Sequence, residues 1–185
     1  MIVQEKEFTL KDGRKAFIRS PEPENAEEVK AVLSLITQAC GETDFLLRYP
    51  EEWENMSLDS EKSYLEGLNK AENEAMLVCL VGGKVAGNCF ISRNTGLKTR
   101  HRATLGISIL REYWNLGIGT RLFAEIIRFA KSLGVSQLEL DFIEGNSRAR
   151  ALYEKMGFRI TAVIPDAVQL KDGRLLNEYS MMRKI

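Results

Sequence analysis

The spacing of apolar residues changes from two to three and four within residues 102–133, which predicts a β-strand followed by an amphipathic α-helix. The apolar positions of the strand are Leu105, Ile107 and Ile109, and those of the helix are Leu122, Ile126, Phe129 and Leu133. A short loop ending in Gly117, Ile118, Gly119 and Thr120 joins the two elements. The rest of the chain is organised around this strand, loop and helix.

The same patterns, together with turn and capping residues, predict the other elements. They are a hairpin at 8–19 turning at Asp12-Gly13, a helix capped by Asn25 and stopped by Gly41, a second helix at about 60–68, a hairpin at 76–91 turning at Gly82-Gly83, a strand at 137–143, a helix capped by Asn146 or Ser147, and a strand pair at 158–164 and 175–182. The predicted fold class is α+β, with a mixed, mainly antiparallel sheet, one central parallel βαβ step and flanking helices.

The composition is that of an ordinary globular protein, and we expect one domain over residues 1–185. Lys plus Arg and Asp plus Glu both number 26, so no net charge attracts nucleic acid or a membrane surface. We expect neither a bilayer-spanning segment nor an apolar signal segment. The cysteines (Cys40, Cys79 and Cys89) are odd in number and widely spaced, which predicts no disulfide framework, no metal site and a cytoplasmic location.

The glycine-bearing loop before the second element has the chemistry of an anion site. The first N–H groups of a helix have no partner within the helix, and the helix dipole makes that end positive. Gly117 and Gly119 would let a phosphate approach the backbone without meeting a Cβ. A strand-to-helix turn that merely needs flexibility explains the two glycines equally well at this point.

Two stretches, 114–120 and 146–158, carry motifs in an informative order and separation. The first, Trp-Asn-Leu-Gly-Ile-Gly-Thr, resembles the Arg/Gln-x-x-Gly-x-Gly/Ala acetyl-CoA motif of the GCN5-related N-acetyltransferase (GNAT) family. The second, from Asn146 through Tyr153 to Phe158, resembles that family's second cofactor segment. The likeness covers about 76–182, and the Trp-x-x-Gly-x-Gly form is similar to the branch of ribosomal-protein N-terminal and small-amine acetyltransferases.

This resemblance implies an enzyme that moves an acetyl group from acetyl-CoA, as co-substrate, to a primary amine by direct attack in a ternary complex. It also implies a V-shaped gap between the strands at 105–109 and 137–143 that holds pantetheine. The implied cofactor contacts are main chain at Ile107, Ser108 and Ile109, backbone amides at Asn115, Leu116, Gly117, Ile118, Gly119 and Thr120, and the side chain of Asn146. Tyr153 would touch the thioester sulfur and, as the catalytic acid, protonate the leaving thiolate. Without the resemblance, a buried helix aromatic is the simpler explanation of Tyr153.

The sequence departs from the family pattern at two positions. Trp114 replaces the Arg or Gln of the general motif, which removes a side-chain charge and leaves the backbone cradle intact. Thr104 occupies a position where relatives often have a Glu that serves as general base. The sequence therefore leaves the identity of the general base open among Glu144, Asp141, His101 and a chain of waters. A solvated residue without a catalytic role is the other explanation of His101.

Two alternatives to an enzyme follow from these departures. A catalytically weak acetyl-CoA-binding regulatory module would keep the glycine loop and lack the base. A dinucleotide-binding protein would share a strand, Gly117, Gly119 and a strand with Asp141, but the third glycine position is Leu122, which obstructs close packing of helix on strand.

The acceptor is expected to be a small-molecule amine or a peptide N-terminus, with a homodimer as the other possible partner because members of the family often dimerise. Its pocket is predicted to be formed by the least patterned segments, 42–58, 93–101 and 164–174. The segment 93–101 is basic, which favours an acidic or zwitterionic amine or a peptide N-terminus over a polycationic acceptor. Arg148 or Arg150 would either reach the 3′-phosphate of the cofactor or form a solvated helix face.

Overall fold

The computed structural model describes residues 2–185 and contains eight strands and four helices within them. The strands are β1 (Lys6–Thr9), β2 (Lys15–Arg19), β3 (Glu74–Val81), β4 (Lys84–Arg93), β5 (Arg102–Ile109), β6 (Gln137–Ile143), β7 (Arg159–Gln169) and β8 (Leu175–Lys184). The helices are α1 (Ala26–Glu42), α2 (Leu58–Lys70), α3 (Ile118–Ser132) and α4 (Ser147–Lys155), with short 3-10 turns at Pro50–Trp53 and Arg111–Tyr113.

The eight strands form one sheet in the order β1-β2-β3-β4-β5-β6-β8-β7. Every neighbouring pair is antiparallel except β5 and β6, which are parallel. Consecutive residues are buried along β3 and most of β4, and both α1 and α3 pack on β4, so helices cover the middle of the sheet on both faces. The α+β class, the mixed sheet and its single parallel step are confirmed.

The parallel pair is short, and this opens the sheet. Only Arg102–Thr104 of β5 pairs with Gln137–Glu139 of β6. Beyond that point β5 stays paired with β4 as far as Ile109, and β6 stays paired with β8 as far as Ile143. The two strands therefore diverge toward their C-terminal ends, and we refer to the gap between residues 105–109 and 140–143 as the V-shaped cleft.

Helix boundaries follow the capping residues more closely than the glycines. Asn25 accepts a hydrogen bond from the Glu28 amide at 3.2 Å and caps α1, as predicted. The helix does not stop at Gly41 but ends at Glu42, and Gly41 is itself a helical residue. Glycine suits this position because Pro50 passes close by: the Pro50 Cγ lies 3.4 Å from the place where a Cβ of residue 41 would be. Ser57 caps α2, which is longer than the predicted 60–68.

The predicted loop at 164–174 is the largest difference between the expected and observed elements. β7 continues to Gln169 and pairs with β8 on both sides of an irregularity between Ile164 and Val168. Asp166 adopts a φ of +52° there, so the strand is interrupted by a bulge rather than ended. The true turn is confined to residues 170–174.

The buried thiols fit a closed core. Cys40, Cys79 and Cys89 are free and buried, and burial raises the pKa of Cys79 to about 12. Cys79 and Cys89 are core residues, as predicted. Within the described residues, no helix has the length and apolar character needed to cross a bilayer.

Glu61 is a buried carboxylate on α2, and replacing it should stabilise the fold. It shares the buried face of α2 with Leu65 and Leu68 and has no ion pair or side-chain hydrogen bond within residues 2–185. Burial raises the pKa of Glu61, so the folded chain binds its proton more tightly than the unfolded chain does. Stability is therefore lost as the pH rises through the folded pKa.

We expect Glu61→Gln to be more stable than the wild type at pH 7 by about 1 kcal/mol, or ~2–4 °C in Tm, because the uncompensated charge is removed. The dipole of α2 favours the charge but offsets only part of its burial. Thermal unfolding between pH 3 and 8 should show the difference shrinking as the pH falls through the raised pKa of folded Glu61, and it should be smallest below the ordinary Glu pKa of about 4.3. Glu66→Gln, which removes a carboxylate paired with Lys62 and Lys70, is the matched control. An equal or lower Tm for Glu61→Gln at pH 7 would refute this account.

Candidate active site

The N-terminus of α3 presents bare backbone amides at the open end of the cleft. Within residues 2–185 no side chain caps this helix, its first turn contains no acidic residue, and its first backbone bond runs from the Arg121 amide to the Gly117 carbonyl at 3.2 Å. The amides of Ile118, Gly119 and Thr120 therefore have no partner within the helix. Together with the helix dipole they form a site for an anion such as a phosphate.

Backbone conformation explains why this loop contains glycine. Gly117 has a φ of +96° and open space where a Cβ would lie, and Asn115 has a φ of +63°, a region that Asn tolerates better than most residues. Gly119 has a different reason, because a Cβ there would lie 2.8 Å from Leu152 Cδ2 of α4. One glycine provides the turn, and the other lets α3 lie against α4.

Cationic side chains from α4 flank these amides. Arg148 donates to Asn115 Oδ1 at 3.0 Å and lies over the ring of Trp114, with 4.1 Å from its Cζ to the ring centroid. Lys155 donates to Thr120 Oγ1 at 3.3 Å. Arg150 instead bonds Glu154 on its own helix at 2.8 Å. Of the two arginines considered from the sequence, Arg148 is the one beside the glycine loop.

The main chain of β5 offers hydrogen-bonding groups to the cleft. In a regular strand, the N–H and C=O of one residue point to the same side and those of the next residue to the other side. The Leu110 amide donates to the Ala86 carbonyl beside β4 at 3.1 Å. Even-numbered residues of β5 therefore face β4, and Leu105, Ile107 and Ile109 face the cleft.

This alternation corrects one predicted contact and qualifies another. The main chain of Ser108 is directed at Asn88 of β4, so it is not available to a ligand in the cleft. The Ile109 carbonyl points into the cleft but already accepts a hydrogen bond from Trp114 Nε1 at 2.7 Å. The main-chain groups of β5 that remain available to a ligand in the cleft are the Ile107 amide and carbonyl and the Ile109 amide. Trp114 thus replaces the motif's usual charged or amide side chain with one that braces the mouth of the cleft.

Tyr153 lies on α4 and contacts β6, the strand on the other side of the cleft from β5. Its ring is 7% exposed and contacts Phe123, Phe142 and Phe158, with ring centroids 5.6, 6.2 and 6.3 Å away. Its hydroxyl has no hydrogen-bond partner within residues 2–185 and is not sealed from solvent. Burial, and secondarily the nearby Cys89 thiol, raise the pKa of Tyr153, so its proton is retained at neutral pH.

Asn146 serves first as a helix cap. Its side-chain oxygen accepts the Ala149 amide at 3.1 Å and fixes the start of α4, which carries Tyr153 and Arg148. The side-chain amide nitrogen has no partner within the described residues and is free to donate to a ligand. Asn146 therefore positions the other α4 residues in addition to the pantetheine contact predicted for it.

The segment 43–57 crosses the open end of the cleft. At its start, Glu42 Oε2 accepts the Arg111 amide just after β5, at 2.6 Å. Phe45 lies against Gly145 just after β6, and the Tyr49 hydroxyl accepts the Lys171 amide at 3.0 Å. Its aromatics bridge from one side of the cleft to the β7–β8 turn, where they can enclose an acceptor, as considered from the sequence.

The basic segment at 93–101 lies elsewhere. It leads directly into Arg102–Thr104, the paired and therefore closed end of the cleft. His101 is exposed, and its carbonyl accepts the amides of Ser136 and Gln137. Six strand residues, or about 20 Å, separate it from Ile107. The expectation of a basic acceptor pocket, and of His101 as a base within it, does not fit this placement.

The remaining base candidates differ in their surroundings. Glu144 accepts the Asn177 amide at 3.1 Å, which occupies its carboxylate in joining β6 to β8. Asp141 is exposed in the part of β6 that borders the cleft, and it has no hydrogen-bond or ion-pair partner within residues 2–185. Beside it lies Glu178 of β8, whose pKa is raised by burial and by the charge of Asp141. Sequence reasoning missed Glu178, because only the β6–β8 register brings the two together.

Comparisons with known proteins agree with this geometry. A model of the acetyltransferase (GNAT) family matches residues 42–158. The probable N-acetyltransferase camello of Xenopus tropicalis is 33% identical over 106 residues, which make up 57% of this chain and 46% of that protein. The match thus spans just under half the length of this curated relative.

Solved structures share the fold over nearly the whole chain. A GNAT-family acetyltransferase from Streptococcus pneumoniae is 27% identical, covers 92% of this chain and 99% of its own, and has a TM-score of 0.84. A ribosomal-protein-alanine N-acetyltransferase from Brucella melitensis is 23% identical, with coverages of 91% and 99% and a TM-score of 0.77. A Salmonella typhimurium acetyltransferase solved with acetyl-CoA is 18% identical, with coverages of 90% and 92% and a TM-score of 0.76.

The split sheet and the bare helix N-terminus beside it define an acetyltransferase fold. Since the family model matches more than half of its residues, the chain belongs to the GNAT acetyltransferase family. Within residues 2–185 no group of three or more His, Cys, Asp or Glu side chains has the arrangement of a metal site.

Proposed function

We propose that residues 1–185 form a single acetyl-CoA-dependent N-acetyltransferase domain of the branch with the Trp-x-x-Gly-x-Gly motif. The observation that carries the proposal is the V-shaped cleft, which opens directly beside the uncapped N-terminus of α3. Membership of the GNAT family and the acetyl-CoA bound by the Salmonella neighbour support the choice of donor. Three free buried cysteines are consistent with a cytoplasmic location.

The residues present fit acetyl-CoA along one continuous path. The pyrophosphate binds backbone amides between Asn115 and Thr120, where Gly117 leaves open space. Pantetheine enters the cleft and forms strand-like bonds with the main chain of Ile107 and Ile109, with Asn146 donating from the other side. This path ends next to Tyr153.

Tyr153 then acts as the general acid. Attack of an amine on the thioester carbonyl forms a C–N bond, and the C–S bond breaks to release a thiolate. Tyr153 donates its proton to that sulfur, which its unpartnered hydroxyl leaves it free to do. The nitrogen loses its protons to a base on the acceptor side or to water. The acceptor is a small-molecule amine or a peptide N-terminus.

A homodimer is the partner we propose besides the acceptor. β7 lies at the edge of the sheet and most of its residues are exposed, including Val163 at 46% and Ile164 at 50%. A long apolar edge strand is a template for pairing with another chain.

Arg148→Ala should weaken acetyl-CoA binding by about five- to tenfold, because it removes both a cation beside the phosphates and the brace on Asn115 and Trp114. The loss should show in the KM for acetyl-CoA, with kcat nearly unchanged, and should shrink at high salt. Arg150→Ala, two residues along the same helix and paired with Glu154, is the control and should change little. Equal effects of the two variants would contradict the role given to Arg148.

Calorimetric titration with acetyl-CoA, and with NADH in parallel, tests the proposal. We expect the protein to bind acetyl-CoA and not to bind NADH. Binding of NADH instead would require Asp141 and the glycine loop to be reinterpreted as a dinucleotide site. Binding of neither would remove the basis for both the enzyme and the regulatory module.

A further inference from the structure

Two carboxylates lie together on one face of the sheet, on the β6 side of the V-shaped cleft. In the β6–β8 ladder, Asp141 is opposite Ser180 and Ile143 is opposite Glu178, so Asp141 and Glu178 are diagonal neighbours on one face of the sheet. No Lys, Arg or His within residues 2–185 forms an ion pair with either of them. The nearby pair Arg102–Glu139 shows the contrast, because that carboxylate on the same face is bridged through two hydrogen bonds of 2.6 Å.

An aromatic ring forms the other wall on the same face. Phe90 of β4 is opposite Gly106 of β5, and its ring lies over the Gly106 backbone. A Cβ at Gly106 would lie 2.0 Å from Phe90 Cε1, so the ring can adopt this position only because residue 106 is glycine. Phe90 nevertheless remains 39% exposed. It gives the cleft an apolar wall across from the two carboxylates.

The buried side-chain amide of Asn88 lies beside that ring, and no group within residues 2–185 donates a hydrogen bond to its oxygen. Asn88 is 7% exposed and is opposite Ser108 on the same face as Phe90. Within residues 2–185, the only hydrogen bond of its side chain runs from Nδ2 to the Met76 sulfur at 3.8 Å. The side-chain oxygen of Asn88, Oδ1, accepts no hydrogen bond within residues 2–185 and is accessible to solvent. Water can bond this oxygen in the free protein, so a ligand that displaces the water must supply an N–H or O–H in its place.

We propose that Asp141, Glu178, Asn88 and Phe90 form an acceptor site for an amine that arrives as an ammonium ion attached to an apolar group. This inference rests on the proposed function, since it concerns the acceptor of the same reaction. Asp141, Glu178 and the side-chain oxygen of Asn88 all offer hydrogen-bond acceptors on this face, and Phe90 packs against the apolar part. An acceptor with its own carboxylate next to the amine would bring that negative charge close to Asp141 and Glu178. Acidic and zwitterionic amines are therefore disfavoured.

Proton transfer in this site is balanced. The ammonium gives one proton to Glu178, which passes it to solvent, and the neutral amine attacks the thioester carbonyl. A second proton leaves the nitrogen as the amide forms and, through water, restores the proton that Tyr153 gives to the departing thiolate. The products are the N-acetyl amine, CoA thiol and one released proton. Glu178 thus takes the part that Thr104 cannot play.

Phenylalanine amide and phenylalanine form a matched pair of acceptors, because they share a ring and an amine and differ in one carboxylate. We expect kcat/KM for phenylalanine amide to exceed that for phenylalanine at least about tenfold. Asp141→Asn and Glu178→Gln should each raise the KM for phenylalanine amide about tenfold, and Glu178→Gln should also lower kcat. Glu74→Gln, on the same face but bonded to Ser92, is the control and should change neither value.

Calorimetry with acetyl-CoA on every variant separates the possible failures. Unchanged acetyl-CoA affinity together with the expected losses supports the site. Normal acetyl-CoA binding with a preference for phenylalanine, with no turnover of phenylalanine amide, or with no effect of either carboxylate variant overturns the acceptor assignment and leaves the donor site intact. Absence of acetyl-CoA binding to the wild type overturns the proposed function and this inference with it.

Discussion

Tyr153→Phe is expected to lower kcat by about 10²–10⁴-fold, the range that a positioned general acid contributes. The substitution removes a single oxygen from a ring packed among three phenylalanines, so the fold and the affinity for acetyl-CoA should be retained. Because burial raises the pKa of Tyr153, the acid remains protonated through neutral pH. Activity of the wild type should therefore show no loss from Tyr153 ionisation between pH 6 and 9.

Tyr113→Phe is the matched control for this experiment. Tyr113 is another buried tyrosine, 4% exposed, in the turn that follows β5, and burial raises its pKa as well. Its loss should leave kcat within about twofold, because no step of the proposed reaction uses it. Steady-state kinetics and acetyl-CoA calorimetry on both variants decide the matter. A kcat for Tyr153→Phe close to that of the wild type would eliminate Tyr153 as the acid.

Gly117→Val should weaken acetyl-CoA binding by about 100-fold or more, since it acts twice on the same site. A β-branched residue is strained at a φ of +96°, so the loop must rearrange and carry the bare amides with it. Its side chain would also project into the open space beside those amides. Calorimetry gives the change in Kd directly.

Gly134→Val provides the control at the other end of the same helix. Gly134 has a φ of +71° and also has no atom within 4 Å of a built Cβ. The two variants should lose similar stability in thermal unfolding, because the backbone strain is similar. Only Gly117→Val should lose acetyl-CoA affinity. Parallel losses of affinity would show that the glycine loop has no special part in binding.

Local signals in the sequence were sufficient to predict the elements that form the proposed donor side of the cleft. The change of period around residue 110, the glycines at 117 and 119, and the capping side chain of Asn146 depend on neighbours within a few residues. Such signals predicted the uncapped α3 N-terminus and the place of Tyr153 on α4. The parallel step followed from chain order alone, and the V-shaped cleft then followed from the family resemblance.

The acceptor side depends on register between distant strands, which no local pattern encodes. Asp141 and Glu178 are separated by 37 positions in the chain, and only the β6–β8 pairing makes them neighbours. The position of the Phe90 ring depends on Gly106 lying directly opposite. The error at Ser108 has the same origin, because the parity of β5 relative to β4 decides which main-chain groups face the cleft.

The most direct test of the whole account is release of CoA thiol by the wild-type protein, followed with a thiol reagent and confirmed by mass spectrometry of the amine. The account predicts thiol release that requires both acetyl-CoA and a primary amine, with one N-acetyl amine formed for each thiol. Tight binding of acetyl-CoA without amine-dependent thiol release across cationic, zwitterionic and peptide amines would contradict it and would identify the domain as an acetyl-CoA-binding regulatory module.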